Sequence, residues 1–271
     1  MSVLHEVSLS TCVFSAFAQE RKSIEKGMGM IAEAGYRRVE IVRNYFGGLI
    51  DEIAAVKKAG LKVWAVHGIL GEGSISPDRE VRRKTVEAAY RQAEACAEFA
   101  PCPIVEHYLC RDFDGETIKR FHDSIGMLLE KVVPLNYTLC IETAPYKPES
   151  DPRYPDSREI ADFVRSFHHE NLRMIVDFNH SNLREQLTEV AEITAGLVRN
   201  IHISQNRGER ENHLPPDVPD GVIDLKTAFA AFRKYGYTGP CNLEFCLSEV
   251  PTVVRLREIR EHMEHLLGDT L

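Results

Sequence analysis

The sequence lacks the features that mark several large classes of protein. No apolar run approaches the ~20 residues that a membrane helix needs, so no membrane span is expected. Basic residues number 33 against 41 acidic ones, and the formal charge of −8 argues against a nucleic-acid partner. No G-x-G-x-x-G turn follows the first apolar run, which argues against an open dinucleotide-binding sheet.

The cysteines also lack a pattern. There are seven, an odd number, and none forms a C-x-x-C pair, so a reduced, cytoplasmic location is predicted. Residues 8–18 are fairly apolar and end in A-F-A, as a signal peptide would. However, no Lys or Arg precedes them, and Glu6 stands where positive charge is needed. We interpret this run as a first buried strand.

Short apolar runs alternate with longer amphipathic segments along the whole chain. The runs do not alternate with polar residues, which is typical of parallel strands buried on both faces. The predicted strands are Val7–Cys12, Arg38–Val42, Lys62–His67, Pro103–His107, Thr138–Glu142, Arg173–Asp177, Asn200–Ser204 and Pro240–Glu244. The predicted helices are Ser23–Ala34, Ala54–Ala59, Pro77–Phe99, Gly115–Pro134, Ser157–His168, Leu187–Ala195, Leu225–Tyr235 and Thr252–Leu267. This order predicts an α/β fold, a (β/α)₈ TIM barrel in which residues 1–271 form a single domain.

Ionisable side chains stand at the carboxyl ends of these strands, where barrels of this kind build their active sites. Glu142, Asp177 and Glu244 end three strands, and His202 lies in a fourth. Carboxylates packed around one axis repel each other, and a divalent cation removes the conflict. Oxygen and nitrogen ligands without thiolate suit Zn²⁺, Mn²⁺, Co²⁺ or Mg²⁺. We therefore predict that these four residues bind a divalent metal.

Two further histidines end strands and permit two interpretations. His67 ends the third strand and His107 the fourth. Each is either a metal or substrate ligand or a hydrogen-bonded core histidine, and the sequence favours neither.

Six motifs make the sequence recognisable. They are C-I-E-T at 140–143, V-D-F-N-H at 176–180, N-I-H-I-S-Q-N-R at 200–207, H-L-P-P at 213–216, G-V-I-D at 221–224 and L-E-F at 243–245. In this order and spacing, the chain resembles the xylose isomerase-like barrel superfamily of sugar-phosphate isomerases and epimerases, which also contains the endonuclease IV family. The resemblance covers essentially the whole chain and does not specify an activity.

Within the isomerase and epimerase branch, the resemblance implies a carbohydrate or keto-acid substrate. The four predicted ligands would hold one metal, which would stabilise an enediolate. Glu142 and Glu244 would exchange protons with the substrate carbon as general base and general acid. His180 and Arg207 would bind substrate oxygens, with His67 and His107 as further candidates. Gln205 replaces an acidic residue that many members carry, which leaves the geometry of the loop at Arg207 open.

The endonuclease IV branch implies a second activity. Its nine zinc ligands can be filled in order by His67, His107, Glu142, Asp177, His180, His202, Glu211, His213 and Glu244. Glu211 stands where that family has Asp. Such a site would hydrolyse a phosphoester, and the negative charge favours a small one over duplex DNA. A third possibility is a barrel that binds a metal or a sugar without catalysis. The oligomeric state is also open, since barrels of this kind often form homo-oligomers.

Overall fold

Eight parallel strands close into a barrel in a computed structural model of the chain. The structure describes residues 6–14, 24–42, 49–110, 114–146 and 154–269. The strands are β1 (Val7–Ser10), β2 (Arg38–Val42), β3 (Lys62–His67), β4 (Pro103–His107), β5 (Thr138–Glu142), β6 (Leu172–Asp177), β7 (Val198–Ile203) and β8 (Cys241–Leu243). They follow each other around the barrel in chain order, and β8 pairs with β1 to close it. The predicted (β/α)₈ barrel is confirmed.

Helices cover the outside of this barrel. They are α1 (Ile24–Glu33), α2 (Leu49–Lys58), α3 (Arg79–Ala95), α4 (Gly115–Val132), α5 (Ser157–Ser166), α6 (Phe178–Asn182), α7 (Leu187–Ile193), α8 (Leu225–Lys234) and α9 (Val253–Asp269). Among the described residues, no helix is both long and apolar enough to cross a membrane. Residues 15–18 of the run considered as a signal peptide lie outside the described part of the chain.

Several predicted boundaries are corrected by local hydrogen bonding. β1 ends at Ser10 rather than Cys12, because residues 11–14 turn into a short 3₁₀ helix. The long predicted helix at 77–99 ends at Ala95, and Ala97–Phe99 forms a separate 3₁₀ turn. β8 ends at Leu243, so Glu244 lies just beyond its strand. Helix α6 was not predicted, since five residues are too few to show a helical period.

Alternate strand residues face either the helices or the barrel interior. Val7 and Leu9 of β1 belong to the apolar core between sheet and helices. A second, smaller apolar cluster fills part of the interior with Trp64, Ala65, Val105, Cys140 and Ile175, which come from β3 to β6. The opposite half of the interior, on β7, β8, β1 and β2, is polar and buried. Its members are Asn200, His202, Asn242, Ser8 and Glu40. A barrel interior that is polar on one side needs internal partners for those groups.

Two register shifts adjust which side chains face inward. Between β2 and β3 the pairing moves from Val39 with Val63 to Glu40 with Ala65, which leaves Trp64 as the extra residue. Between β6 and β7 a similar shift leaves Arg199 as the extra residue. The Arg199 guanidinium lies over the Trp64 ring, 5.6 Å from its centroid. Such bulges re-aim the residues that follow, here His67 on β3 and His202 on β7.

Replacing Phe121 with Ala should destabilise the fold by about 3–5 kcal/mol, because it opens a cavity under α4. The Phe121 ring is fully buried, stacks on Phe163 at 5.4 Å and meets Tyr108 edge-on at 5.8 Å. Denaturant unfolding followed by circular dichroism gives the change in unfolding free energy. Val254→Ala, at an exposed position on α9, is the control and should change that free energy by no more than about 0.5 kcal/mol. Equal effects of the two variants would contradict the predicted core contact.

Candidate metal centre at the carboxyl end of the barrel

Four predicted ligands lie together where the strands end. Glu142 and Asp177 are the last residues of β5 and β6, His202 lies in β7, and Glu244 follows β8. One ligand atom from each lies within 4.8 Å of the other three, and all four residues are buried. His202 Nδ1 is 2.7 Å from Glu142 Oε1 and 2.6 Å from Glu244 Oε2. These oxygen and nitrogen atoms form a set that suits a divalent cation.

Helix α6 explains how Asp177 and His180 are oriented. Asp177 caps this helix, and its Oδ1 accepts hydrogen bonds from the backbone N–H groups of Asn179 and His180, at 2.6 and 3.1 Å. The other oxygen, Oδ2, stays available at the centre. His180 Nδ1 donates to the Thr143 carbonyl at 2.8 Å, since a carbonyl can only accept. The remaining nitrogen of His180, Nε2, lies 3.6 Å from Asp177 Oδ2 and carries the lone pair when the imidazole is neutral.

A second group of candidate ligands flanks the four on the side of β3 and β4. His67, His107 and Glu142 each offer a ligand atom within 4.8 Å of the other two. The two imidazole Nε2 atoms lie 3.3 Å apart, and Glu142 Oε2 is 3.4 Å from His67 Nε2 and 3.0 Å from His107 Nε2. Glu142 therefore belongs to both groups, as a carboxylate with two oxygens can.

A third group lies on the opposite side, beside α6. Asp177, His180 and His213 are also within 4.8 Å of one another through their ligand atoms. Glu211 Oε1 contacts His213 Nε2 at 2.6 Å and His180 Nε2 at 3.4 Å. His213 has a positive φ of 43°, and its carbonyl accepts from the Cys246 N–H at 2.7 Å. A non-glycine residue in this backbone region is uncommon and is often found at functional sites.

The structure places Arg207 apart from these groups. Its side chain is about half exposed and pairs with Asp220 through Nε at 2.7 Å. The neighbouring Gln205 is buried instead, where its side chain bonds the backbone N–H and C=O of Ile223 at 2.9 and 2.8 Å. Gln205 also forms a backbone bridge with Leu214, which fixes the base of the loop. A substrate role for Arg207 stays a prediction.

One carboxylate of the centre was missed by the sequence analysis. Glu40 of β2 is fully buried, and its Oε2 lies 2.9 Å from His202 Nε2. Its Oε1 accepts from Asn242 Nδ2 at 3.0 Å and lies 3.5 Å from His67 Nδ1. The signal was a charge in the middle of an apolar strand, between Val39 and Ile41, where an uncompensated carboxylate is costly.

Several buried polar atoms at the centre fit a bound cation. Among the described residues, they have no hydrogen bond of ordinary geometry, although buried polar groups are nearly always paired. These atoms are Glu142 Oε2, Asp177 Oδ2, Glu244 Oε2, His67 Nδ1 and His180 Nε2. All five belong to residues of the groups described above. Ligand atoms that converge on one point without hydrogen bonds of ordinary geometry are what a metal site presents to its ion.

The carboxylates and the histidines of the centre shift each other's pKa values. Burial by itself lowers the pKa of His202, but its three carboxylate neighbours outweigh burial and raise that pKa well above its usual value. Burial raises the pKa of Glu142, but the imidazoles of His202 and His67 hold it well below its usual value. The pKa of Glu244, which burial alone would raise, falls to about 2 beside His202. Burial raises the pKa of Asp177, and nearby His180 offsets only part of this effect. Without a cation, protons on the histidines balance the carboxylates.

A cavity of about 620 Å³ opens above the centre. Its wall includes His67, His107, His180, Glu211, His213 and Glu244, with Leu70 and Leu109 as apolar members. Glu142, Asp177 and His202 lie beneath it and are fully buried. A small polar molecule in the cavity would thus meet Glu244 and the flanking histidines first. Residues 43–48, after β2, and residues 147–153, between β5 and α5, lie outside the described part of the chain.

Metal binding should tighten as the pH rises towards the pKa of His202, which lies well above the usual histidine value of about 6.5. His202 has a raised pKa, so it is protonated in the metal-free protein at neutral pH, and a metal must displace that proton. Affinity should rise about tenfold per pH unit for each proton displaced. Occupation of the third group should steepen the trend at pH values below the His180 pKa of about 9, because a second proton is then displaced. Calorimetry in buffers of different ionisation enthalpy counts the protons released.

The exposed residue His262 on α9 provides the control. His262→Asn should leave the proton count unchanged, because this residue lies outside all three groups. A pH-independent affinity with no proton release would contradict the assignment of His202 as a ligand.

Comparison with known proteins places the chain in a family. A model described as a xylose isomerase-like TIM barrel matches residues 29–267. No curated protein sequence matches the chain. Among solved structures, L-ribulose 3-epimerase aligns with a TM-score of 0.78 and 15% identity, covering 100% of this chain and 96% of that one.

Two other solved structures share the fold. One is an AP endonuclease, family 2, from Brucella melitensis, with a TM-score of 0.69, 19% identity, and coverage of 89% of this chain and 92% of that one. The other is a xylose isomerase-like TIM-barrel protein from Mycobacterium smegmatis in complex with magnesium. It has a TM-score of 0.71 and 13% identity, and each chain is fully covered. Because the family model matches most of the length of the chain, the chain belongs to the xylose isomerase-like TIM-barrel family.

Proposed function

We propose that the protein is a divalent-metal-dependent isomerase or epimerase of a small sugar, sugar phosphate or keto-polyol. One observation carries the proposal: two carboxylates, Glu142 and Glu244, contact the same nitrogen of His202 at the base of a polar cavity. A pair of carboxylates around one substrate carbon is what proton transfer between its two faces requires. The shared fold with L-ribulose 3-epimerase supports this class of reaction.

Glu142, Asp177, His202 and Glu244 would hold the metal. When bound, the cation would supply a Lewis acid beside the substrate carbonyl. The cation would be Mn²⁺, Zn²⁺, Co²⁺ or Mg²⁺. The remaining donors of the cavity wall, His67, His107 and His180, are placed to bind substrate hydroxyls.

The two carboxylates would move the proton. One takes the proton from the carbon beside the carbonyl, and the electron pair of that C–H bond moves into the carbonyl to give an enediolate. The other returns a proton to the same carbon from the opposite face for epimerisation. Return of the proton to the neighbouring carbon, with transfer of the remaining hydroxyl proton from one enediolate oxygen to the other, isomerises the substrate. Glu244 lines the cavity and keeps a small exposure of 8%, whereas Glu142 is fully buried. Glu244 is therefore the carboxylate that exchanges its proton with solvent more readily.

Replacing either Glu142 or Glu244 with Gln should abolish deuterium incorporation into substrate in D₂O. An amide cannot take up or deliver the proton at neutral pH, while its size hardly differs. The measurement is proton NMR of ketopentoses and ketohexoses incubated with metal-loaded protein. Glu192→Gln makes the same change on the outside of the barrel, where Glu192 accepts from Tyr235, and should keep full exchange.

Two other outcomes would count against the proposed reaction. Full exchange by both site variants would contradict the acid–base assignment. Tight sugar binding by the unaltered protein without exchange or hydrolysis would instead identify a binding module.

A second candidate, a multi-zinc phosphoesterase acting on a small phosphoester, is favoured by the two flanking groups. The Nε2 atoms of His67 and His107 lie 3.3 Å apart. In the third group, Asp177, His180 and His213 offer ligand atoms within 4.8 Å of one another. Several metal ions in such groups would clamp a phosphoryl group and activate a water molecule. The fold shared with an AP endonuclease of family 2 supports the comparison. The net charge of −8 favours a small phosphoester over duplex DNA.

Metal content should distinguish the two candidates. Protein purified without chelator should contain about one divalent ion per chain as an isomerase, and two or three zinc ions as a phosphoesterase. Elemental analysis of the unaltered protein and of the H67A/H107A double variant gives the count. For an isomerase the double variant should keep its single ion, because neither histidine belongs to the central four. Loss of one ion from a larger number would favour the phosphoesterase.

A further inference from the structure

A chain of hydrogen bonds runs beneath the metal centre through the polar half of the barrel. Ser8 Oγ on β1 donates to Asn242 Oδ1 on β8 at 2.7 Å. Asn242 Nδ2 donates to Glu40 Oε1 on β2 at 3.0 Å. Glu40 Oε2 then lies 2.9 Å from His202 Nε2 on β7. All four residues are buried at 2% exposure or less, so these groups depend on one another rather than on solvent.

The contact between Glu40 and His202 crosses the interior of the barrel. β2 and β7 are not neighbours in the closed sheet, since β1 and β8 separate them. Ser8, Asn242 and His202 are successive register partners across β1, β8 and β7 and thus share one level of the barrel. Glu40 is the register partner of Ser10 on the neighbouring strand β1, and its side chain reaches this level from β2. A side chain that merely filled the interior would be apolar, as on β3 to β6.

The acceptors around His202 indicate which of its two protons a metal would displace. An ionised carboxylate only accepts hydrogen bonds, and Asn242 already donates to one oxygen of Glu40. The other oxygen faces His202 Nε2, which must therefore carry the proton. Without a metal, Nδ1 also carries a proton. Because Glu40 retains the proton of Nε2, a cation that displaces the other proton leaves the lone pair on Nδ1. That nitrogen faces Glu142 and Glu244, the other members of the central group.

We propose that Glu40 is a positioning residue that directs His202 Nδ1 to the metal by accepting the Nε2 proton, with Asn242 and Ser8 holding Glu40. This inference rests on the proposed metal centre. Carboxylates that hold the second nitrogen of a ligand histidine orient the ring and raise its basicity. Glu40 would thus act through His202 and would contact neither substrate nor metal.

One competing arrangement uses the same residues. Glu40, His67, His202 and Glu244 also offer ligand atoms within 4.8 Å of one another, a grouping in which Glu40 would be a direct ligand. In that arrangement His202 would turn Nε2 to the metal and leave Glu142 out. Hydrogen bonding favours positioning instead. Both oxygens of Glu40 are partnered, whereas Glu142 Oε2, Asp177 Oδ2 and Glu244 Oε2 have no hydrogen bond of ordinary geometry from the described residues.

Cobalt affinity tests the proposal without reference to activity. Co²⁺ is titrated into metal-free protein and followed by its visible absorption. Glu40→Ala should weaken binding about 10- to 100-fold, the usual effect of removing such a partner. Glu40→Gln should recover most of this loss. Its amide oxygen can accept from His202, and Asn242 can turn its own amide so that Oδ1 accepts from Gln and Nδ2 donates to Ser8 Oγ. Recovery by Gln identifies hydrogen bonding, because an amide is a poor replacement for a ligating carboxylate.

A control separates positioning from general destabilisation. Tyr137→Phe removes a buried hydrogen bond of 2.8 Å to the Ala93 carbonyl, at the start of β5 and thus at the opposite end of the barrel. It should lower the unfolding free energy and leave cobalt affinity within about twofold of the unaltered protein, since this bond lies outside the metal centre. If Tyr137→Phe weakens cobalt binding as much as Glu40→Ala does, the proposal is overturned.

The nitrogen that binds the metal can be read directly. In zinc-loaded protein labelled with ¹⁵N-histidine, the His202 signal, assigned by its absence in His202→Asn, should show protonated Nε2 and metal-bound Nδ1. Metal on Nε2 would overturn the proposal, as would unchanged cobalt affinity in Glu40→Ala or equal losses for the Ala and Gln variants. Failure of the unaltered protein to bind cobalt or zinc would instead contradict the metal centre itself. The two failures are therefore distinguishable.

Discussion

The structure depends on how several carboxylates are accommodated around one imidazole. His202 has a carboxylate oxygen within 3 Å of each nitrogen, with Glu142 and Glu244 on one side and Glu40 on the other. Isolated buried charges are so costly that they would be neutralised rather than maintained. The protein keeps them by setting acid against base at close range, and this arrangement is reactive. A cation that replaces the protons inherits a preformed set of ligands.

The closed barrel brings the residues of this cluster together. Strands far apart in sequence end at one level, so residues 40 and 202 meet across the axis although 162 positions separate them. The apolar cluster on β3 to β6 supports the opposite wall, and Trp64 lies beneath Arg38 and Arg199 at the other end. Rigid strands hold most of the central ligands, whereas His213 and Glu211 come from a loop. That loop is tied by Gln205 to Leu214 and Ile223. Strand-borne ligands are held more precisely than loop-borne ones, which is consistent with a central site and more adaptable flanks.

Whereas the full set of nine candidate zinc ligands came only from the resemblance to the endonuclease IV family, the sequence itself predicted the barrel and the strand-end carboxylates because apolar runs there stop at a charge. Glu142 in C-I-E-T and Asp177 in I-V-D-F are such cases. Glu40 was missed for the opposite reason: it lies inside a strand, and only the closed barrel reveals that β2 faces β7. Helix α6 was missed because its five residues depend on capping by Asp177 and not on a periodic pattern. The ion pair of Arg207 with Asp220 was equally invisible, since the loop between them has no regular structure.

Charge balance links the number of metal ions to the state of His67. Glu40, Glu142, Asp177 and Glu244 together bring four negative charges when ionised, and one divalent ion supplies two positive ones. The remainder falls on the histidines, and His67 is the central one, within 3.7 Å of the carboxylates of Glu40, Glu142 and Glu244. Although burial lowers the pKa of His67, these carboxylates raise it well above its usual value. With one metal, a protonated His67 would be available to donate to a substrate oxygen. With a second metal held by His67 and His107, His67 would lose that proton, and the cation would supply an electrophile suited to phosphate. The two proposed functions therefore differ in the protonation state that they would require of His67.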